Sequence, residues 1–186
     1  MNYFKRTMKM AKDLTVLKDR YESIHGNFLE WKNSCYTKVG NHTIDSYNAC
    51  RQLPDINHED TIEVLEDLLN IYEDSWKTLS AHDDTDFWAL NFWIADWYCY
   101  FYDSHYQDRI DLLIRKRRDY GERPFQISGT LGIMARSADK VCRAQNILIM
   151  KQLAVKDEQI QDTFIDLYNY SLIATDLIWR DKECAV

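Results

Sequence analysis

The sequence predicts an all-α protein, a helical bundle of about seven helices. Only five Gly and two Pro occur in 186 residues, and 46% of the residues are hydrophobic. Alternating runs rich in Val, Ile and Thr, which would indicate strands, are hard to find, whereas apolar residues recur at helical spacing. The chain is long enough to bury a sizeable core, either as one large domain or as a domain with an extension.

The N-terminal half predicts helices over about residues 3–24, 28–36 and 43–52, with a break at Gly26. A fourth helix is predicted over about 58–79, where the apolar residues with helical spacing are Ile62, Leu65, Leu69, Tyr72 and Trp76.

The aromatic stretch 87–102 predicts a helix buried in the core. It carries Phe, Trp or Tyr at nine positions, but it has only sixteen residues and contains Asn91 and Asp96. A membrane-spanning helix needs about 20 predominantly apolar residues. Stacking on a base or sugar is the alternative interpretation of these aromatic residues.

The C-terminal half predicts three more helices. The first covers about 107–118 and stops at Gly121, because glycine adopts the left-handed conformation that ends helices. After a loop that contains Pro124, the second covers about 131–152. The third runs from about residue 156 to Trp179.

Cysteine usage and the N-terminus favour a cytoplasmic protein. The five Cys form no CxxC pair, and an odd number of Cys suits reduced thiols better than a disulfide framework. No Cys/His cluster has the spacing of a zinc site. The Met1 start shows no signal peptide, so we expect neither secretion nor membrane insertion.

Positive charge is concentrated in one segment of an acidic chain. The net charge is −7, yet residues 106–151 carry ten Lys or Arg against five Asp or Glu. A basic segment between two acidic ones indicates internal charge complementarity or an anion pocket, and no stable nucleic-acid binding is expected.

Two predicted helices each carry a polar stripe on one face. The first stripe consists of Arg136, Asp139, Lys140 and Arg143. The second consists of Glu158, Asp162, Asp166 and Asn169. If the helices are antiparallel, these stripes either form a salt-bridge network or build a site where carboxylates hold Mg²⁺ and the cations hold phosphates.

The basic run 115–118 lies at the end of a predicted helix. One of its residues could reach the same site, but for Arg115, Arg117 and Arg118 we favour a solvated helix end, where cations suit the helix dipole. Phe125, beyond the turn, could pack as a lid or stack on a base.

Three ordered blocks, KRRDYG, ARSADKVCRAQNI and EQIQDTFIDLYNY, resemble the pattern K-x-x-D-Y-G … R-x-x-D-K-x-x-R … D-x-x-x-D-L-x-N-Y. This pattern is that of the nucleotide-modification-associated family, small helical proteins of bacteria and phages related to MazG-like all-α nucleotide pyrophosphohydrolases. The resemblance covers about residues 107–179. It implies a MazG-like core over 106–186, with 1–105 as a helical extension that packs on it.

The resemblance implies Mg²⁺-dependent hydrolysis of a (deoxy)nucleoside triphosphate to monophosphate and pyrophosphate. The predicted catalytic residues are Asp162, Asp166 and Lys140. The predicted metal ligands are Asp139, Glu158, Asp162 and Asp166. The predicted substrate-binding residues are Lys116, Tyr120, Arg136, Arg143 and Asn169. In this assignment a metal-bound water attacks phosphorus while the cations hold the phosphates.

The chain also departs from the MazG-like pattern. Its only ExxE, Glu63–Glu66, lies in the unmatched half, and a solvated acidic face is its simpler interpretation. Two alternatives to hydrolysis therefore stay open: a protein that binds a nucleotide without hydrolysing it, and a phage-encoded interaction or inhibitor protein. By resemblance alone, a homo-oligomer is also expected.

Overall fold

The computed structural model describes residues 3–34, 66, 69–70, 73, 82–101, 105–150 and 159–184. These residues form five α-helices and no strand, which confirms the all-α prediction for this part of the chain. In chain order the helices are α1 (Tyr3–Ser34), α2 (Thr85–Phe101), α3 (Tyr106–Tyr120), α4 (Arg123–Met150) and α5 (Ile160–Cys184). The predicted helix over 43–52 lies outside the described residues, as does most of the one over 58–79.

Helix α1 is continuous, so the predicted break at Gly26 is wrong. A glycine inside a helix costs only about 1 kcal/mol relative to alanine. The apolar residues around Gly26 outweigh that cost, because Tyr21, Ile24 and Phe28 are all buried against the rest of the protein.

Helix α2 is a core helix, as predicted. Trp88 and Phe92 are fully buried, and the polar residues within the helix have partners. The Asn91 amide donates to Ser171 Oγ at 2.6 Å, and Asp96 pairs with Arg109. Among the described residues, no helix is both long enough and apolar enough to cross a membrane.

Helix α5 lies at the centre of the described bundle and packs most extensively against α2 and α4. Phe164, Leu167 and Leu172 are completely buried, because α5 has apolar residues on most sides. It begins at Ile160 and extends to Cys184, five residues beyond the predicted end.

The junction between α3 and α4 contains two glycines with positive φ. Gly121 ends α3 as predicted, with its N–H donating to the Arg117 carbonyl at 2.8 Å, although its ψ of −173° is extended rather than helical. A short first part of α4 begins at Arg123, where a loop was predicted, because proline is tolerated in a first helical turn. The longer part starts after Gly129, close to the predicted start at about residue 131. A kink at Gly129 (φ 57°, ψ −162°) separates this first part from the rest of α4.

Candidate functional site

A cleft of about 360 Å³ opens between α3, the first part of α4 and α5. The described residues that line it are Leu113, Lys116, Arg117, Tyr120, Pro124, Phe125, Arg136, Asp166, Asn169, Tyr170 and Ile173. Five of the sequence-predicted site residues are in this set: Lys116, Tyr120, Arg136, Asp166 and Asn169. The volume lies within the range of pockets that bind small molecules.

The carboxylate of Asp166 joins three helices at the cleft. Its Oδ1 lies 2.8 Å from Lys116 Nζ of α3, and its Oδ2 lies 2.7 Å from Lys140 Nζ of α4. Burial by itself would raise the pKa of Asp166, but the hydrogen bonds and charges of the two lysines outweigh it and hold the pKa below its usual range. Lys140 thus reaches the cleft wall through Asp166.

Asn169 places an unsatisfied amide at the cleft. The residue is 3% exposed, and neither Oδ1 nor Nδ2 has a hydrogen-bond partner among the described residues. Buried polar side chains in proteins are normally hydrogen-bonded, and each unmet group costs about 1–3 kcal/mol. Asn91, by contrast, has its amide bonded to α5.

Arg117 is a cleft residue that the sequence interpretation missed. We expected it at a solvated helix end, but its side chain is 2% exposed. Its Nη2 donates to Glu122 Oε1 at 3.1 Å, while Nε and Nη1 have no partner among the described residues. The spacing of Ile110, Leu113 and Arg117 by three and four is a signal that would have placed it on the buried face of α3. Arg115 and Arg118 are exposed, as predicted.

Aromatic side chains surround the cationic groups. The Arg117 and Arg136 guanidinium carbons lie 4.6 Å and 5.6 Å from the centre of the Phe125 ring. Tyr120 stands at the rim with 74% of its surface exposed. Tyr170 lies deeper, where burial and then the charge of Asp166 raise the pKa of its phenol.

The two predicted stripes do face each other. Lys140 pairs with Asp166, and Arg143 Nη1 donates to Thr163 Oγ1 at 2.8 Å, so α4 and α5 run antiparallel. The salt-bridge interpretation therefore holds for the pair Lys140–Asp166. Beside this pair, the cleft keeps Arg136 and Asn169 without polar partners among the described residues.

Two further predicted residues, Asp162 and Asp139, are not part of the cleft lining. Asp162 is exposed in the first turn of α5, where its Oδ2 accepts from the Gln159 N–H at 3.2 Å and caps the helix. Asp139 is exposed on α4. Glu158 lies outside the described residues.

A magnesium site is not formed by the described residues. No group of three or more His, Cys, Asp or Glu among them could hold a metal ion. Asp166 is the one carboxylate of the described cleft lining, and two lysines share its charge. The described residues alone therefore do not make a magnesium site, and the Mg²⁺ site stays a prediction.

Comparison of the chain with protein-family models, with curated proteins and with solved structures finds no match. The resemblance to the nucleotide-modification-associated family, and the function it implies, therefore stay predictions.

Proposed function

We propose that the cleft binds a nucleotide. The observation that carries this proposal is the amide of Asn169, which is almost completely buried at the cleft and has neither its donor nor its acceptor satisfied by a described residue. A nucleobase edge presents neighbouring donors and acceptors, and an asparagine amide can bond two of them at once. Binding would therefore satisfy a pair of groups that no described residue satisfies.

The charges of the cleft suit the phosphates of the same ligand. Lys116, Arg117 and Arg136 line it together with a single carboxylate, Asp166, so the described lining has a positive balance. Arg136 has no ion-pair partner among the described residues, and the buried Nε and Nη1 of Arg117 have no described hydrogen-bond partner. Both side chains can therefore offer N–H groups to phosphate oxygens.

The aromatic residues supply the third feature of a nucleotide site. Tyr120, Phe125 and Tyr170 place rings along the cleft, and an aromatic ring that stacks on a base contributes about 1–3 kcal/mol. The cations thus suit the phosphates of a nucleotide, the Asn169 amide suits the edge of its base, and the aromatic rings suit the face of its base.

Binding, rather than hydrolysis, is the activity that this geometry supports. Asp166 is the carboxylate in the described lining, and the two lysines that donate to it hold its pKa below its usual range, which makes it a weak base for activating a water. Hydrolysis to monophosphate and pyrophosphate stays a prediction of the resemblance.

The test is equilibrium binding by calorimetry of each common (deoxy)nucleoside triphosphate, with and without Mg²⁺, followed by ion-exchange analysis of the products. We expect binding without turnover. Arg136→Gln and Lys116→Gln should each weaken binding about tenfold, since a hydrogen bond to a charged group contributes about 1.5–3 kcal/mol.

Arg115→Gln is the matched control, because Arg115 is exposed next to Lys116 on α3 and lies outside the cleft. It should leave affinity within about twofold, apart from a small screened charge effect. No binding across the panel, or equal losses for Arg115→Gln and Lys116→Gln, would overturn the proposal. Release of pyrophosphate would restore the hydrolase prediction.

A further inference from the structure

Residues 122–128 form a short segment at the mouth of the cleft, here called the cover. Gly121 (φ 72°, ψ −173°) precedes it and Gly129 (φ 57°, ψ −162°) follows it. This combination of angles is adopted almost only by glycine. A Cβ built on either glycine has nothing within 4 Å, so the backbone conformation, and not crowding, is what requires glycine at both ends.

The cover is held together internally. The N–H groups of Phe125 and Gln126 donate to the Glu122 carbonyl at 3.0 Å and 3.1 Å, and Ser128 Oγ donates to the Pro124 carbonyl at 2.9 Å. The proline ring further restricts its backbone. Because these hydrogen bonds hold the cover together, it can rotate as one unit about the backbone of the two flanking glycines.

Polar and cation–ring contacts, together with packing of Phe125 on the core and of Ser128 against Gly132, fasten the cover over the cleft. Glu122 accepts from Arg117 at 3.1 Å and from Arg180 at 3.2 Å. The Phe125 ring lies between the guanidinium groups of Arg117 and Arg136. The outer side of the cover is open, with Ile127 76% exposed.

These contacts link the position of Phe125 to the cations of the cleft. Arg117 and Arg136 also have donors without a described partner. The contact of Phe125 with Arg136 lies at an exposed side chain and is weak enough to exchange, whereas its contact with the buried Arg117 is the stronger of the two. An anion that draws these guanidinium groups away from the ring would free Phe125 to take another partner.

We propose that the cover is hinged at Gly121 and Gly129 and closes on a bound nucleotide, and that Phe125 is the residue that stacks on its base. The inference rests on the proposed function, because it requires a nucleotide in the cleft. It also makes Phe125 a specificity-determining residue, because stacking on a base would raise the affinity for a nucleotide and not the affinity for a ligand that has phosphates alone.

The first experiment compares dATP, dGTP, dCTP and dTTP with inorganic tripolyphosphate as ligands of the full chain. Phe125→Ala should weaken binding of the nucleotides about tenfold, from lost stacking, and leave tripolyphosphate affinity unchanged. Phe125→Leu is the second variant; it keeps apolar volume if the alanine variant does not fold and should show the same contrast. Ile127→Ala, on the outer side of the cover, should change neither affinity.

The second experiment tests the hinge. Gly129→Ala forces the joint toward helical angles and so should straighten α4, carrying Phe125 away from the cleft. We expect weaker nucleotide binding with tripolyphosphate binding retained. Gly26→Ala is the matched control, because Gly26 is an ordinary helical glycine of α1 whose added Cβ also meets nothing within 4 Å. Amide hydrogen exchange of residues 122–128 should slow when the protein binds a nucleotide and not when it binds tripolyphosphate.

The outcomes separate the two proposals. Wild-type protein that binds no nucleotide overturns the proposed function and this inference with it. Nucleotide binding that Phe125→Ala leaves unchanged, or a loss shared equally with tripolyphosphate, overturns the inference alone, since Phe125 then only shapes the cleft. Wild-type affinity in Gly129→Ala, or unchanged exchange of the cover, shows that the segment is static.

Discussion

Asp166 and Asp176 lie on the same helix, α5, and each pairs with two cations, but their surroundings differ. Asp176 is completely buried, and its carboxylate accepts from Arg20 at 2.6 Å and from Arg180. Asp166 is partly exposed and holds Lys116 and Lys140 beside an open cleft.

The difference lies in what surrounds each aspartate. The arginines of Asp176 have second partners, since Arg20 also pairs with Glu183 and Arg180 also pairs with Glu122. Near Asp166, the Asn169 amide has no described partner. Ion pairs thus hold most of the charged groups around Asp176, although the buried Nη2 of Arg20 also has no described partner. Such pairing stabilises the fold, whereas unmet groups beside a cleft lower stability. The comparison indicates that ion pairs hold the Asp176 end of α5, here called the closed end, while the cleft end keeps an amide that the proposed ligand would satisfy.

The largest effect is expected at the closed end. Asp176→Asn removes the charge that two partly buried arginines share, and it should lower the free energy of unfolding by about 3 kcal/mol. Urea denaturation followed by circular dichroism measures this. Asp181→Asn, exposed on the same helix, is the control and should change stability by less than about 0.5 kcal/mol. A similar small loss for Asp176→Asn would remove the contrast between the two ends.

The next largest effect on stability is expected in acid and involves the buried His25. His25 Nδ1 lies 2.8 Å from Tyr168 Oη, and burial followed by the charge of Arg109 lowers the pKa of His25 to about 4. The unfolded chain therefore takes up this proton first as pH falls through about 6.5. Stability should fall by about 2 kcal/mol between neutral pH and about pH 5.

Thermal unfolding as a function of pH tests the His25 prediction. His25→Phe should flatten the curve between neutral pH and about pH 5, whereas His105→Phe, exposed before α3, should not. Equal slopes in the two variants would exclude His25 as the group responsible.

A smaller effect of opposite sign is expected at the cleft. Asn169→Leu replaces an unsatisfied buried amide by an apolar side chain of similar size, and it should raise the free energy of unfolding by about 1 kcal/mol while weakening nucleotide binding. Denaturation and calorimetry on the same preparation measure both quantities. Asn91→Leu is the control: it breaks satisfied hydrogen bonds and should destabilise the protein. Destabilisation by Asn169→Leu would mean that its amide is paired.

The smallest effect is expected for Asp166→Asn. Its lysines are partly exposed and can turn to water, so the loss of stability should stay below about 1 kcal/mol. The pKa of Asp166 is lower in the folded than in the unfolded protein. Its contribution to the free energy of unfolding is therefore fully present above the unfolded pKa, about 3.9, and disappears as the pH falls through the folded pKa. Wild-type and variant stability curves should therefore converge only below about pH 4, which separates Asp166 from His25. A difference that vanished at higher pH would contradict this assignment.

Periodicity located the helices better than it located their ends. The aromatic helix, the stop at Gly121 and the facing stripes of α4 and α5 follow from spacing and from glycine chemistry. The break at Gly26 and the loop predicted around Pro124 were wrong, since buried neighbours outweigh one glycine and a first helical turn accepts Pro124. Of the predicted site residues, Lys116, Arg136, Asp166 and Asn169 line one cleft, but the sequence could not show whether the Asp166 carboxylate is paired with lysines or binds a metal.

By itself, the sequence determined that the described part of this protein is helical and that its cations gather on α3 and α4 near the polar face of α5. Both properties depend on local spacing along the chain, which the residue order contains. Only the tertiary structure decided that Arg117 is buried, that two lysines share Asp166 and that the Asn169 amide has no described partner. Each of these depends on distances between residues far apart in sequence, and those distances are set when the helices pack.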